Sequence, residues 1–188
     1  MRVLKAEKPR SSAGRSRHRV RPAERRDLPR LLEMMRELAM FERYIRFFAV
    51  TERDLEERAF GQDAQCRITV AEDAATGDPV GYAVTVVTPF TYDLKPTVTL
   101  KELYVREQAR GRGAGQALFR AVAAEALEAG AGRLKWNVLA GNRRAETFYR
   151  ALGARRVRKW IPYAMDERAL EALSFQLPEP AWEQPSSR

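Results

Sequence analysis

Apolar residues recur at helical spacing in several stretches of the chain and alternate with polar residues in others. A stripe at positions 28, 31, 32, 35, 38 and 39 predicts a helix to about Glu42, with Asp27 as its cap. Further helices are predicted at 51–61, 113–129, 142–153 and 166–173. Extended segments are predicted at 18–22, 67–72, 80–88, 97–105, 134–139 and 155–163. The first strands are arranged in hairpins, and the later strands alternate with helices. This order favours an α/β or α+β fold with one mixed sheet.

The segment from Thr97 to Val105 is the clearest strand. Its alternation predicts one face with Val98, Leu100 and Tyr104 and another with Thr99, Leu103 and Val105. Glu102 has the same parity as Leu100 and Tyr104, so it is expected on their face.

The length of 188 residues is that of one domain with tails. We expect a basic tail at 1–17, a folded domain at 18–176 and a second tail at 177–188. Of the net charge of +9, seven charges lie in residues 1–21, so the domain itself is nearly balanced. The basic tail is interpreted as a disordered extension; phosphate contact with nucleic acid and a transit peptide are the alternatives.

The composition excludes several classes of site. The single cysteine, Cys66, excludes an intrachain disulfide and is expected to be structural, on an early strand. The single histidine, His18, lies in the N-terminal tail at the start of the first predicted strand, so a His-based metal site or hydrolase is not expected. No apolar run reaches membrane-spanning length, and no secretory signal is expected near Met1. We therefore expect a cytoplasmic protein without a metal.

A glycine-dense loop, Arg110-Gly111-Arg112-Gly113-Ala114-Gly115, lies between a predicted strand and a predicted helix. Glycines there let the backbone approach a ligand, and the helix N-terminus favours a phosphate. The run lacks the Gly-Lys-Ser/Thr ending of a Walker A loop. Its third glycine also falls at the wrong spacing for a dinucleotide fingerprint. A flexible turn is the alternative interpretation.

This loop resembles the acetyl-CoA pyrophosphate loop of the GNAT N-acetyltransferases. The preceding strand Leu100-Lys101-Glu102-Leu103-Tyr104-Val105 and the later run from Asn142 through Phe148-Tyr149 to Gly153-Ala154 resemble two further GNAT features. The chain also resembles the diamine (spermidine/spermine) and thialysine N-acetyltransferases at Arg21-Pro22-Ala23, Glu37-Leu38-Ala39, Phe41-Glu42, Thr51 to Leu55 and Phe60-Gly61. The similarity covers about Val20 to Phe175. It implies one GNAT domain with a mixed sheet splayed at the cofactor site, and a homodimer.

The resemblance also implies the cofactor-binding residues. Backbone groups around Leu103, Tyr104 and Val105 would bind the pantetheine arm, and Asn142 would contact it. The pyrophosphate would be held by Arg110, Gly111, Arg112, Gly113, Ala114 and Gly115.

Tyr149 is implied as the acid that protonates the thiolate, and a phenol suits this role because it stays protonated at neutral pH. A core aromatic residue is its alternative interpretation. Glu102 is the candidate base, directly or through water, or else a surface carboxylate. In the polyamine enzymes this part of the strand carries Glu-Asp, whereas this chain has Lys101-Glu102.

The acceptor region also departs from the polyamine pattern. After Glu42 the chain reads Arg43-Tyr44-Ile45-Arg46-Phe47-Phe48, with arginines and aromatic residues where the polyamine enzymes have acids. Glu42, Tyr44 and Lys101 are therefore the candidate substrate residues, for an amine that carries a carboxylate or an apolar part. Packing of Tyr44, Phe47 and Phe48 in the core or a dimer interface is the alternative.

The sequence thus predicts an acetyl-CoA-dependent N-acetyltransferase of small primary amines, acting by direct transfer in a ternary complex. A protein or peptide N-acetyltransferase, and a CoA-binding regulatory module without catalysis, are the alternatives. A nucleic-acid partner is expected only through the basic tail.

Overall fold

The structure is a computed structural model, and it describes residues 17–89, 92–159 and 161–174. The expected tails lie almost wholly outside these residues. The chain forms two compact units, 1–140 and 141–188, each described by itself below. No helix in the described ranges is both long enough and apolar enough to cross a membrane.

The first unit is built on a five-stranded sheet in the order β1-β2-β3-β4-β5. The strands are β1 (His18–Pro22), β2 (Arg67–Asp73), β3 (Pro79–Thr88), β4 (Thr97–Val105) and β5 (Arg133–Lys135). Neighbours are antiparallel except β4 and β5, which are parallel. The predicted mixed sheet is confirmed.

Two helices cover the sheet of the first unit. Helix α1 (Leu28–Phe41) packs on β3 and β4, and α3 (Ala114–Glu128) packs on β2, β3 and β4. Between them, α2 (Glu52–Leu55) runs directly into a π-helical turn, Glu56–Phe60. Every residue of the predicted α1 stripe is buried, together with Met34. These residues form the core with Ile68, Val70, Tyr82 and Val84 from the sheet.

Three local predictions change in the first unit. Asp27 precedes α1, but its side chain does not cap that helix. It accepts hydrogen bonds from Arg21 and from the backbone N–H of Glu24. Cys66 lies just before β2 rather than on a strand, and His18 is buried at the start of β1 rather than in an exposed tail.

The last strand of the sheet is shorter than predicted. β5 covers only Arg133–Lys135, not 134–139, and it pairs with β4 only at Thr97, Val98 and Thr99. Within the described residues, the β5-side edge of β4 is therefore unpaired from Leu100 onwards. The sheet opens there, as expected for a splayed GNAT sheet.

The second unit contains α4 (Arg143–Ala151) and α5 (Glu167–Ser174). Asn142 caps α4 by accepting a 3.1 Å hydrogen bond from the N–H of Ala145. Gly153, at φ +87°, follows its end. The extended segment predicted at 155–163 forms no strand in its described residues.

Candidate active site

A β-bulge in β4 determines which side chains reach the candidate site. Val84 of β3 pairs with Glu102, but its neighbour Thr85 pairs with Leu100, so Lys101 is an extra residue in β4. Thr85 faces α3, since it lines a small cavity with Val122 and Ala126, whereas Val84 belongs to the core under α1. Leu100 therefore faces α3, and Glu102 faces α1.

The predicted faces of β4 were consequently wrong beyond Leu100. Glu102 and Tyr104 do share a face, but it is the face opposite Leu100. The alternation of apolar and polar residues along β4 cannot show the bulge, because Lys101 is an extra residue only relative to the β3 residues that pair with β4.

Glu102 is half-buried rather than an exposed surface carboxylate. Its Oε2 accepts a 2.6 Å hydrogen bond from the hydroxyl of Tyr82, which is fully buried. Burial, together with the negative charge of Glu42, raises the pKa of Glu102 above its ordinary value. The hydrogen bond from Tyr82 and the positive charge of Lys101 oppose this rise without cancelling it.

The end of α1 brings Glu42 and Tyr44 into the electrostatic range of Glu102. The N–H of Tyr44 donates to Ala39 O and that of Arg43 to Met40 O, with Arg43 in the left-handed conformation at φ +64°. This is a Schellman motif, which reverses the chain after the helix. Burial, followed by the charges of Glu102 and Glu42, raises the pKa of Tyr44 to about 12.

Four candidates chosen from separate stretches of sequence thus influence one another in the fold: Glu42, Tyr44, Lys101 and Glu102. The charges of Glu42 and Lys101 act on Glu102 in opposite directions; both of these residues are exposed, whereas Tyr44 is half-buried. Phe48 packs against the core, and Phe47 is exposed. Such a set can bind an ammonium group and accept a proton from it.

The sequence analysis missed two neighbours of Glu102. One is Tyr82, its hydrogen-bond donor, and the other is Cys66, whose thiol pKa is raised by burial and by the charge of Glu102. Both lie on or beside other strands, so only the pairing of β2, β3 and β4 could reveal them. In the described part of the chain no group of three or more His, Cys, Asp or Glu side chains could hold a metal.

The glycine-dense loop connects β4 to α3. Gly111 and Gly113 have φ of +74° and +91°, and a Cβ on either would meet no atom within 4 Å. Gly113 is the N-cap of α3, and no side chain caps that end. Gly115 lies inside α3 and does not need a positive φ. Ala114 is buried, and Arg112 is exposed.

Arg110 is held against the end of β4. Its Nε donates a 2.8 Å hydrogen bond to Val105 O, and its guanidinium carbon lies 5.6 Å from the ring centroid of Tyr104. Leu103 and Val105 are partly buried on the α3 side of the unpaired part of β4. Among the residues that the structure describes, the β4 backbone has unpaired N–H and C=O groups, and the loop ends in positive-φ glycines and a helix N-terminus without a side-chain cap. Together these features fit a long ligand that ends in phosphates.

The remaining candidates, Asn142 and Tyr149, lie in the second unit. The side-chain oxygen of Asn142 is used by the cap, which leaves its amide N–H groups as donors. Tyr149 is half-buried, its ring lies 5.1 Å from that of Phe148, and burial raises its pKa to about 12.

Comparison with known proteins agrees with this geometry. The acetyltransferase (GNAT) family model matches residues 32–154. Thialysine N-epsilon-acetyltransferase of Bos taurus is 30% identical over 164 residues, covering 82% of this chain and 96% of that protein. L-ornithine N5-acetyltransferase NATA1 of Arabidopsis thaliana is 25% identical over 198 residues, covering 82% and 87%.

Solved structures show the same fold. An integron cassette protein from the mobile metagenome of V. cholerae, VCH_CASS6, superposes with a TM-score of 0.70 at 23% identity, covering 84% of this chain and 98% of that chain. The family model covers more than half of the chain, and the mixed, splayed sheet agrees with it. The chain belongs to the acetyltransferase (GNAT) family and is an acetyltransferase.

Proposed function

We propose that this protein transfers an acetyl group from acetyl-CoA to the primary amine of a small molecule, directly and within a ternary complex. The observation that carries the proposal is the half-buried Glu102, bonded to Tyr82 and set among Glu42, Tyr44 and Lys101. These residues lie on the strand that leads into the glycine-dense loop and at the end of α1. The proposed base and the proposed amine-binding residues therefore lie on, or beside, the strand that leads into the proposed phosphate-binding loop.

Acetyl-CoA fits the residues of the loop. The first N–H groups of α3 have no acceptor within the helix, and the glycines before them leave room for a pyrophosphate. The exposed Arg112 adds positive charge, and the unpaired edge of β4 offers backbone donors and acceptors to the pantetheine arm. Asn142 and Tyr149 complete the proposed cofactor contacts by family resemblance.

The transfer requires three proton movements. The bound ammonium first loses one proton and becomes a neutral nucleophile; its nitrogen then bonds to the acetyl carbon as the carbon–sulfur bond breaks, the nitrogen releases a second proton to solvent, and the thiolate gains one. Glu102 takes the first of these protons, directly or through water, since its raised pKa makes it a stronger base than an exposed carboxylate. Tyr149 gives its proton to the sulfur and is reprotonated from solvent; a pKa of about 12 keeps it protonated beforehand.

The charges favour an acceptor whose reacting ammonium group is accompanied by a carboxylate at its other end. Glu102 and Glu42 would attract the reacting ammonium, whereas Lys101 would attract a carboxylate and repel a second ammonium that has no carboxylate beside it. In an amino acid with a side-chain amine, the α-carboxylate lies beside the α-ammonium and compensates its charge; spermidine has further ammonium groups and no carboxylate. The relatives named for thialysine and L-ornithine support the same class.

The test is CoA release from acetyl-CoA with ornithine, lysine, thialysine, putrescine, spermidine, an aromatic amine and a basic peptide. We expect the amino acids to have the highest kcat/KM. Lys101→Met should shift the preference from ornithine towards putrescine, whereas Arg36→Met, which removes an exposed cation from α1, should not. Selective turnover of the peptide would favour a protein acetyltransferase. Binding of acetyl-CoA without any turnover would favour a regulatory module.

A homodimer in the cytoplasm completes the proposal; the family resemblance supports the dimer, and the composition with its single cysteine supports the compartment. Sedimentation equilibrium of the full chain measures the oligomeric state directly.

A further inference from the structure

A network of hydrogen bonds and ion pairs joins α1 to the end of β4. The hydroxyl of Tyr104 donates a 3.0 Å hydrogen bond to Glu37 Oε2. Arg106 Nη2 lies 3.2 Å from the other oxygen of Glu37 and 2.7 Å from Glu33 Oε2. The side chain of Arg106 is largely buried, and its Nε makes no hydrogen bond to any residue that the structure describes. Glu37 is thus the residue that links Tyr104 and Arg106.

Tyr104 in turn supports Arg110. One face of its ring lies under the Arg110 guanidinium, and the Val105 carbonyl holds Arg110 Nε. These two contacts fix the direction of a long side chain that otherwise has many rotamers. In the described residues the two terminal nitrogens of Arg110 make no hydrogen bond. They therefore remain available at the start of the loop.

We propose that Glu37 is a positioning residue, which orients Arg110 for the pyrophosphate of acetyl-CoA through the hydroxyl and ring of Tyr104. This inference rests on the proposed function, because it assumes that the loop binds CoA. Glu37 itself carries the wrong charge to bind a phosphate. Its effect is to hold the tyrosine ring at one angle, so that the guanidinium does not lose its orientation before the ligand arrives.

The geometry separates this role from a purely structural one. Glu33 contacts the same Arg106 from the same face of α1, but it has no contact with Tyr104. Glu33 is therefore a control for the loss of one acidic side chain and one Arg106 ion pair, and its removal also breaks an exposed pair with Arg30. The acceptor residues Glu42, Tyr44 and Glu102 are not part of the network, so the KM of the amine should not depend on Glu37.

The test is calorimetric measurement of CoA binding to the full chain, with kcat and both KM values for the best acceptor. Glu37→Ala should raise the Kd of CoA and the KM of acetyl-CoA by about tenfold, the usual effect of one hydrogen bond to a charged group. The KM of the amine should change little. Glu37→Gln keeps an oxygen that can accept from Tyr104, so it should recover most of the affinity. Glu33→Ala should bind CoA as the wild type does.

A double-mutant cycle tests whether Glu37 acts through the hydroxyl of Tyr104. Tyr104→Phe should weaken CoA binding, and Glu37→Ala in that background should add no further loss, because the hydroxyl that connects them is already gone. Independent, additive losses would overturn the proposal, as would a lower unfolding temperature of Glu37→Ala with an unchanged Kd. Tighter binding by both Glu37 variants would show simple charge repulsion instead. Failure of the wild type to bind CoA would overturn the proposed function as well.

Discussion

The hydroxyl of Tyr82 donates its hydrogen bond to Glu102 across the β3–β4 pair, 2.6 Å from Oε2, beneath the end of α1. Tyr82 cannot relinquish that proton easily, since burial and the charge of Glu102 raise its pKa far above the ordinary value. Glu102 is therefore held in one orientation by a donor that stays neutral. A general base needs this combination of fixed position and raised pKa.

The electrostatics of Glu102 predict opposite pH shifts for two neighbours. Below the raised pKa of Glu102 the base is protonated, so kcat/KM should fall on the acid side. Glu42→Gln removes a negative charge, which lowers the pKa of Glu102 and moves the acid limb to lower pH. Lys101→Met removes a positive charge, which raises that pKa and moves the limb to higher pH.

The measurement is kcat/KM against pH with one acceptor, so that titration of the amine is common to all variants. Arg36→Met serves as the control and should leave the limb in place. The shift from Glu42→Gln should shrink in high salt, because Glu42 is exposed. Glu102→Gln should lower kcat/KM by about 10²–10⁴-fold and abolish the limb. Shifts in the same direction for Glu42 and Lys101 would exclude Glu102 as the titrating base.

Tyr149→Phe tests the proposed acid. The ring contact with Phe148 at 5.1 Å needs no hydroxyl, so the fold of α4 should persist. We expect kcat to fall by about 10²-fold, the lower range for loss of a positioned proton donor, with the Kd of CoA nearly unchanged because the ring remains. Tyr163→Phe is the control, because Tyr163 is 93% exposed in the same unit. An unaltered kcat in Tyr149→Phe would remove Tyr149 from the mechanism.

Local signals in the sequence predicted the helices, most strands and the loop. The α1 stripe, the helix that begins after Thr51 and the glycine-dense turn before α3 all follow from residues close in the chain. The bulge at Lys101 does not, because it depends on which β3 residue each β4 residue meets. That single residue decides whether Glu102 faces α1 or α3.

Contacts distant in sequence were equally hidden. Glu37 and Tyr104 are 67 positions apart, and nothing in either segment indicates the other.

Asp27 shows that predictions from neighbouring residues can also fail. Its position predicted a helix cap, but the nearby Arg21 forms a bidentate ion pair with it, at 2.6 and 3.0 Å. A buried guanidinium is a stronger partner than a backbone N–H.

Asp27→Asn should destabilise the protein because it leaves the nearly buried Arg21 with Glu72 as its one close carboxylate in the described residues, at 2.7 Å, and Glu24 only at 3.9 Å. We expect a loss of roughly 3 kcal/mol in the free energy of unfolding at pH 7. Burial raises the pKa of Asp27, but hydrogen bonds from Arg21 and from the backbone N–H of Glu24 outweigh burial, so this pKa is lowered overall. Asp27 therefore stabilises the fold at pH values above its pKa in the unfolded chain, about 4. This stabilisation is lost as the pH falls through the lower pKa that Asp27 has in the folded protein.

Denaturant unfolding at pH 7 and pH 3 checks this prediction. The difference between wild type and Asp27→Asn should shrink at pH 3. Glu57→Gln breaks an exposed ion pair with Arg53 and should cost less than about 1 kcal/mol at either pH. Equal losses in the two variants would mean that the Arg21 pair is no stronger than a surface pair.

Gly113→Val tests whether the loop binds CoA or only turns the chain. Gly113 has φ of +91°, which a β-branched residue adopts only at a cost of roughly 1–2 kcal/mol, and its added side chain would project into the open space before α3. We expect the Kd of CoA to rise by at least about tenfold. Gly130→Val is the matched control, because Gly130 follows the other end of α3, has φ of +67° and also faces open space. Both variants should lose similar thermal stability, measured by circular dichroism, but only Gly113→Val should lose CoA affinity by calorimetry. Equal Kd values in the two variants would reduce the loop to a turn, since backbone strain alone would then explain every effect of the substitution.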